Sequence, residues 1–167
     1  MHTNTRKIVI AALMASFVCV ATMIVKIPSP LKGYLNLGDC TVLAAAWTLS
    51  PGLGFLAAGL GSALADLLSG YIIYAPATFV IKGVMALIAY SFFKLTSKRV
   101  GRLASQLVGA LISEAFMVMG YFVFEGFLYG FAPSLVNIPA NAVQGILGIF
   151  IGIVLIKVVE KTNIAFY

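Results

Sequence analysis

Apolar residues run in blocks of about bilayer length, parted by short polar or Pro- and Gly-bearing stretches. A bilayer-crossing helix needs about 20 mostly apolar residues. The first block covers residues 7 to about 25. It is evenly apolar and has no convincing cleavage site before further spans, so it reads as a retained span and not as a signal peptide. Residues 26–38 (KIPSPLKGYLNLG) have no helical periodicity, and Pro28 and Pro30 oppose a helix, which predicts an ordered loop. Residues 39–70 are apolar but broken at Ser50-Pro51-Gly52, a turn signal. That break predicts two short helices, about 39–49 and 52–69. A single helix with a Pro-Gly kink is the competing reading.

The remainder alternates more plainly. Residues 71–76 form a short loop, and 77–93 are apolar apart from Lys82. A basic loop is expected at 94–102, a span from 103 to about 127, and a turn at 129–136 with Gly130 and Pro133. A last span runs from 138 to about 158, before a short tail. The fold class is an all-α integral membrane protein, one domain over 1–167, with six transmembrane helices and a long first outer loop.

Composition agrees: 62% of the 167 residues are apolar and 10% charged, against roughly 45–50% and about 25% in soluble domains. That argues against a soluble enzyme, a disordered tail or a nucleic-acid module. The net charge of +6 is explained by placement. With six spans, one side receives Arg6, Lys7, Lys94, Lys98, Arg99, Arg102, Lys157 and Lys161, and the other Lys26 and Lys32. Lys and Arg collect in cytoplasmic loops, so both termini are expected to be cytoplasmic and no nucleic-acid partner is needed. Cys19 and Cys40 fall toward the outer side; packing cysteines are favoured over a disulfide. With His2 the only histidine and no CxxC, a metal site is not expected.

Polar residues inside spans are costly and carry the functional information. Asp66, Lys82, Glu114, Tyr121 and Glu125, with Asn137, Asn141 and Gln144, provide them. Positions 114, 118, 121 and 125 share one helical face, and 137, 141, 144 and 148 repeat the same offsets. Nearly all these groups lie in the outer half of the bilayer, which suits a pocket opening outward better than a channel. Tyr34, Tyr71, Tyr74, Tyr121 and Tyr129 add flat amphipathic surface at that level, fit for a small polar heteroaromatic ring. Blander roles stay open: an aromatic belt for Tyr71, Tyr74 and Tyr129, interfacial water for Asp66 and Glu125, interhelical glue for Asn141 and Gln144. Asp39 reads as a helix N-terminal cap. Lys82 and Glu114 could instead pair structurally.

Ala11 and Ala15 form a small-xxx-small pair, as do Ala57, Gly61 and Ala65, and Gly148 and Gly152. Such pairs let helices approach closely, within the bundle or against a partner. No GxxxxGK[ST], HExxH or GxSxG occurs, so the chain carries no P-loop and none of these hydrolase signatures.

Gly38-Asp39, GLGFLAAGLGSALADLLSGY (52–71), YAPATFVIKG (74–83) and NIPANAVQG (137–145) occur in this order. With the six-span layout, they make the chain similar to S components of energy-coupling factor (ECF) vitamin transporters, in the riboflavin-type branch. ALMAS (11–15) resembles the alanine motif of span one in that family. The resemblance implies a non-enzymatic, multi-pass subunit of the bacterial cell membrane. It would capture a vitamin under its first loop and associate with a transmembrane coupling subunit and two cytoplasmic ATPases. ATP and Mg would be used by those partners, with no cofactor on this chain. Tyr34, Asn36, Lys82, Glu114, Tyr121, Asn137, Asn141 and Gln144 are the expected ligand-binding residues, Lys82 and Asn141 central among them. Ala11 and Ala15 are the expected docking residues. Vitamin B6 or a related pyrimidine is the favoured substrate and riboflavin the second. A structural or assembly membrane protein is the alternative of another class.

Overall fold

The computed structural model describes residues 2–29, 31 and 33–161, with the side chains of residues 2 and 3 left aside. Lys32, which the sequence assigns to the outer side, lies outside the described residues, as does the tail from 162 onward. The helices are α1 (His2–Ile24), α2 (Gly38–Thr48), α3 (Pro51–Leu68), α4 (Ala75–Val100), α5 (Arg102–Tyr129), the short α6 (Phe131–Ser134) and α7 (Ile138–Glu160). A 3-10 turn, Leu135–Asn137, joins α6 to α7.

Among the described residues, five stretches are long and apolar enough to cross a membrane: residues 4–24, 51–68, 75–100, 102–129 and 131–160. The helix α2 is not among them. It has 11 residues, about 16 Å at 1.5 Å per residue, and every one is buried. The kinked-helix alternative fails, because Leu49 and Ser50 are extended and Pro51 restarts the chain as the first residue of α3.

The stretch expected as an ordered loop contains two short strands. Strands β1 (Lys26–Pro28) and β2 (Tyr34–Asn36) pair antiparallel, Lys26 opposite Asn36 and Pro28 opposite Tyr34. So the fold is helical with one small hairpin. The expected basic loop at 94–102 is also corrected, since α4 continues to Val100. Its Lys98 and Arg99 sit in the last turn, where the helix dipole favours cations. Gly101, at φ +86°, makes the reversal into α5, a conformation that residues with a Cβ resist.

Close contacts fix how the helices run. Ala11 packs with Ala57, Ala45 and Leu49, and a Cβ on Gly61 would lie 2.4 Å from the Ala15 carbonyl oxygen. So α1 and α3 lie side by side in the same direction. At the other end of α1, a Cβ on Gly38 would strike Thr22, so α2 runs back against α1. Just ahead of α2, β2 lies against α1 and α7 with β1 on its exposed outer side, and α2 begins buried inside the bundle. At the far end, Arg102 pairs with Glu160 at 2.5 Å and its guanidinium stands 5.5 Å over the Phe93 ring.

The main core gathers Val42, Leu43, Trp47, Met85, Met117 and Ile156, all fully enclosed by α2, α4, α5 and α7. Large apolar side chains such as Leu13, Phe17, Leu111, Phe150 and Val154 point outward. That apolar exterior fits a lipid surround, not water. Cys19 and Cys40 are free thiols, and Cys40 Sγ donates to the Leu37 carbonyl.

Candidate functional site

At the hairpin end, a cleft opens between the hairpin and the ends of α3, α4, α5 and α7. Tyr34, Asn36, Asp66, Tyr71, Tyr74, Thr78, Tyr121, Glu125, Asn141 and Gln144 line it, with Ser29 and Gly33 from the hairpin loop. The space it encloses is about 30 Å³, room for one or two waters. That is far below the roughly 300–1,000 Å³ of typical ligand pockets, so a ring-sized ligand requires the cleft to open. The tyrosines form a panel, with Tyr34 and Tyr71 ring centroids 4.6 Å apart and Tyr71 and Tyr74 edge-to-face at 6.3 Å.

Side chains of the spans tie the hairpin down. The Tyr34 hydroxyl donates to Asp66 Oδ1 at 2.7 Å. Burial, with the Asp66 carboxylate beside it, pushes that hydroxyl above its ordinary pKa, so it stays a donor. The Asn36 backbone N–H donates to Gln144 Oε1 at 2.9 Å. Asn137 both accepts from the Leu31 N–H and donates to the Leu31 carbonyl. Its amide also bridges both oxygens of Glu125, at 2.9 and 3.0 Å. Lys26 reaches Ser69 at 3.0 Å.

Beneath the cleft lies a buried polar layer. Lys82 on α4 is ion-paired with Asp39 at the start of α2, and both are almost wholly buried. Gln144 on α7 donates to the second Asp39 oxygen at 2.7 Å. A line of contacts therefore runs from Lys82 through Asp39 and Gln144 to Asn36 in the hairpin. Glu114 on α5 is buried against α7, where Cβ atoms on Gly145 or Gly148 would come within 3.0 and 3.1 Å of its carboxylate oxygens. Glycine at those two positions leaves room for the carboxylate.

Five of the eight expected ligand residues line the cleft: Tyr34, Asn36, Tyr121, Asn141 and Gln144. Three are placed differently. Lys82 does not line it, because Asp39 holds its amine; the Nζ also lies 5.5 Å from the Tyr121 ring centroid. Glu114 packs behind α7, and Asn137 is a strap between hairpin and Glu125. Asp39 is not the cap but the hub of the polar layer, and the first N–H of α2, that of Gly38, donates instead to Asn36 Oδ1 at 2.8 Å. A signal for it was present, since 39–49 is too short for a span and so had to start inside the bundle. Asp66, Thr78 and Glu125 join the site. Ala11 is buried within the bundle and Ala15 half-buried with its carbonyl against Gly61, so this pair serves internal packing here.

An apolar helical bundle with a tyrosine-lined, hairpin-covered cleft at one end defines a membrane protein that binds a small molecule. Comparison with known proteins sharpens this. Residues 2–161 match the family model of the ECF-type riboflavin transporter S component, so the chain belongs to that family of transport subunits. It is 25% identical to the structure described as "Structure and mechanism of the S component of a bacterial ECF transporter". The TM-score is 0.76, over 96% of this chain and 98% of that one. A protein of Pyrococcus woesei, known as an uncharacterized protein in the gap 3' region, is 40% identical over 136 residues, 81% of this chain and 88% of its own length. The thiamine precursor transporter HmpT of Lactococcus lactis subsp. cremoris (strain MG1363) is 25% identical over 165 residues, 98% of this chain and 93% of its own length.

Proposed function

We propose that this chain captures a pyrimidine precursor of thiamine in the cleft beneath its hairpin, from outside the cell, and delivers it to an ECF importer. The single observation that carries the reading is the cleft itself. It is compact, walled by tyrosines for a flat ring, and lined by the carboxylates of Asp66 and Glu125 for a ligand rich in hydrogen-bond donors. The name of the Lactococcus lactis relative agrees with a pyrimidine. Riboflavin is the second reading, favoured by the description of the family model. Vitamin B6 is dropped: neither comparison points to it, and Lys82, expected as a central ligand, is held by Asp39.

In this reading the chain sits in the cytoplasmic membrane with the cleft outward and both termini inside, the hairpin and α2 together returning the chain across it as the sixth crossing. The charge pattern supports it, because Arg6, Lys7, Lys94, Lys98, Arg99, Arg102 and Lys157 all belong to the end opposite the hairpin. A transmembrane coupling subunit and two ATPases complete the importer, and ATP with Mg is consumed there. The coupling subunit meets the face of α1 that the bundle leaves outward, where Ala12 and Ser16 stand one turn apart between Leu13 and Phe17. Ala12→Trp should leave ligand affinity unchanged and cut uptake by reconstituted importer at least tenfold. Full uptake by that variant excludes this face.

The substrate is tested by thermal unfolding of the purified chain against the pyrimidine half of thiamine, thiamine, riboflavin and pyridoxine. Ligand at about 100 times its Kd adds roughly 2.7 kcal/mol, several degrees in Tm. The pyrimidine should give the largest shift. A shift with riboflavin alone selects the second reading. No shift with any vitamin favours a structural protein.

A further inference from the structure

We propose that Asp66 sets the chemical selectivity of the cleft, its free oxygen Oδ2 accepting a hydrogen bond from an amino group on the ligand ring. This rests on the aminopyrimidine reading and assigns the residue that distinguishes such a ring from its deaminated counterpart.

Three carboxylates near the cleft have their oxygens committed or elsewhere. Glu125 is bridged by the Asn137 amide and also accepts from Tyr74. Asp39 is taken by Lys82 and Gln144. Both Glu114 oxygens lack hydrogen bonds, but Glu114 packs against Gly145 and Gly148 and does not line the cleft. Asp66 differs from all three. It lines the cleft, is only 5% exposed, and uses Oδ1 for Tyr34, while buried Oδ2 has no hydrogen-bond partner among the described residues. Thr78 stands beside the carboxylate outside hydrogen-bond geometry with Oδ2; its Oγ1 accepts from Tyr121 at 3.1 Å, and its own hydrogen is the donor a ligand amine must outcompete.

A buried acceptor without a donor keeps its desolvation penalty until a donor arrives. A carboxylate only accepts, so it rewards an N–H and repels a ring nitrogen or carbonyl set opposite it. The Tyr34 and Tyr71 rings, in contact with centroids 4.6 Å apart, form a wall beside it against which a flat heterocycle can lie with its edge toward Oδ2. The ligand class is therefore a neutral or cationic heteroaromatic ring with an exocyclic amine.

The test measures equilibrium binding to the detergent-purified full chain. Two probes are compared: the hydroxymethyl aminopyrimidine half of thiamine, and the same ring with hydrogen in place of the amine. The native chain should prefer the amine at least tenfold. Asp66→Asn keeps an acceptor for Tyr34 but can place an N–H where Oδ2 stood. It should shrink the preference below threefold by weakening the amine alone. Lys26→Met, which cuts the hairpin's tie to Ser69 and leaves Asp66 untouched, should change both ligands by similar factors. Equal weakening of both probes by Asp66→Asn, or no preference in the native chain, overturns the assignment while leaving the substrate intact. Binding of riboflavin and of neither pyrimidine overturns the substrate reading, and the assignment with it. The native comparison needs no variant, so a poorly folding Asp66→Asn does not rescue the idea.

Discussion

Lys82→Met should unfold at a much lower temperature than the native chain, and Lys82→Met with Asp39→Asn should recover most of the loss. The single change strands a carboxylate that is wholly buried, leaving it the Gln144 amide alone. Removing one partner of a buried ion pair costs about 3–5 kcal/mol, whereas replacing both with neutral groups is often close to neutral. Asparagine at 39 can still accept from Gln144, so the double variant keeps the link to Asn36 in the hairpin. Ligand binding should follow stability: weak in the single variant and restored in the double. A direct ligand role for Lys82 makes the opposite forecast, with stability recovered in the double variant and binding still lost. A single variant that melts with the native chain removes the ion pair from the account of this fold.

Gly61→Val is the second large effect. A Cβ at Gly61 would stand 2.4 Å from the Ala15 carbonyl and 2.8 Å from the Val18 Cβ. The first of these is backbone and cannot swing aside, so α1 must lift from α3. Overpacking of this kind costs about 1–3 kcal/mol. Gly52→Ala is the matched control, since a Cβ there meets nothing within 4 Å. The Gly61 variant should melt well below native and the Gly52 variant with it. Identical melting of the two variants means that α1 is not seated on α3 through this contact.

Much of this fold is written in periodicity. The break at Ser50–Gly52, the long spans and the shared face of 137, 141, 144 and 148 all follow from helix geometry and turn chemistry, and the structure bears out the break and the helices. What periodicity does not carry is depth. Residues 26–38 show no helical period and enough Pro and Gly to read as loop, yet β1 and β2 pair, and β2 lies against α1 and α7 while β1 stays exposed. That placement lowers the start of α2 and takes Asp39 from a capping position to the centre of the bundle. It also explains Lys82. The sequence marks it as a costly buried charge, but its partner lies on a segment whose depth depends on the hairpin. Asn137 shows the converse: its stripe position is legible, but its bonds to Leu31 depend on where the loop lands. Ala11 and Ala15 are small residues fit for close helix contact, and the packed positions of Ala57 and Gly61 show the internal contact they make.

The brevity of α2 also bears on how the chain is made. Eleven residues cannot reach both faces of a bilayer about 30 Å thick, so α2 has no stable resting place as a lone inserted segment. Its leading carboxylate waits for an amine on α4 and then for an amide on α7, synthesised 43 and 105 residues later. The nascent protein thus carries an unfinished interior until its last helix emerges from the ribosome. A chain cut short before α7 presents that interior to the membrane's proteases.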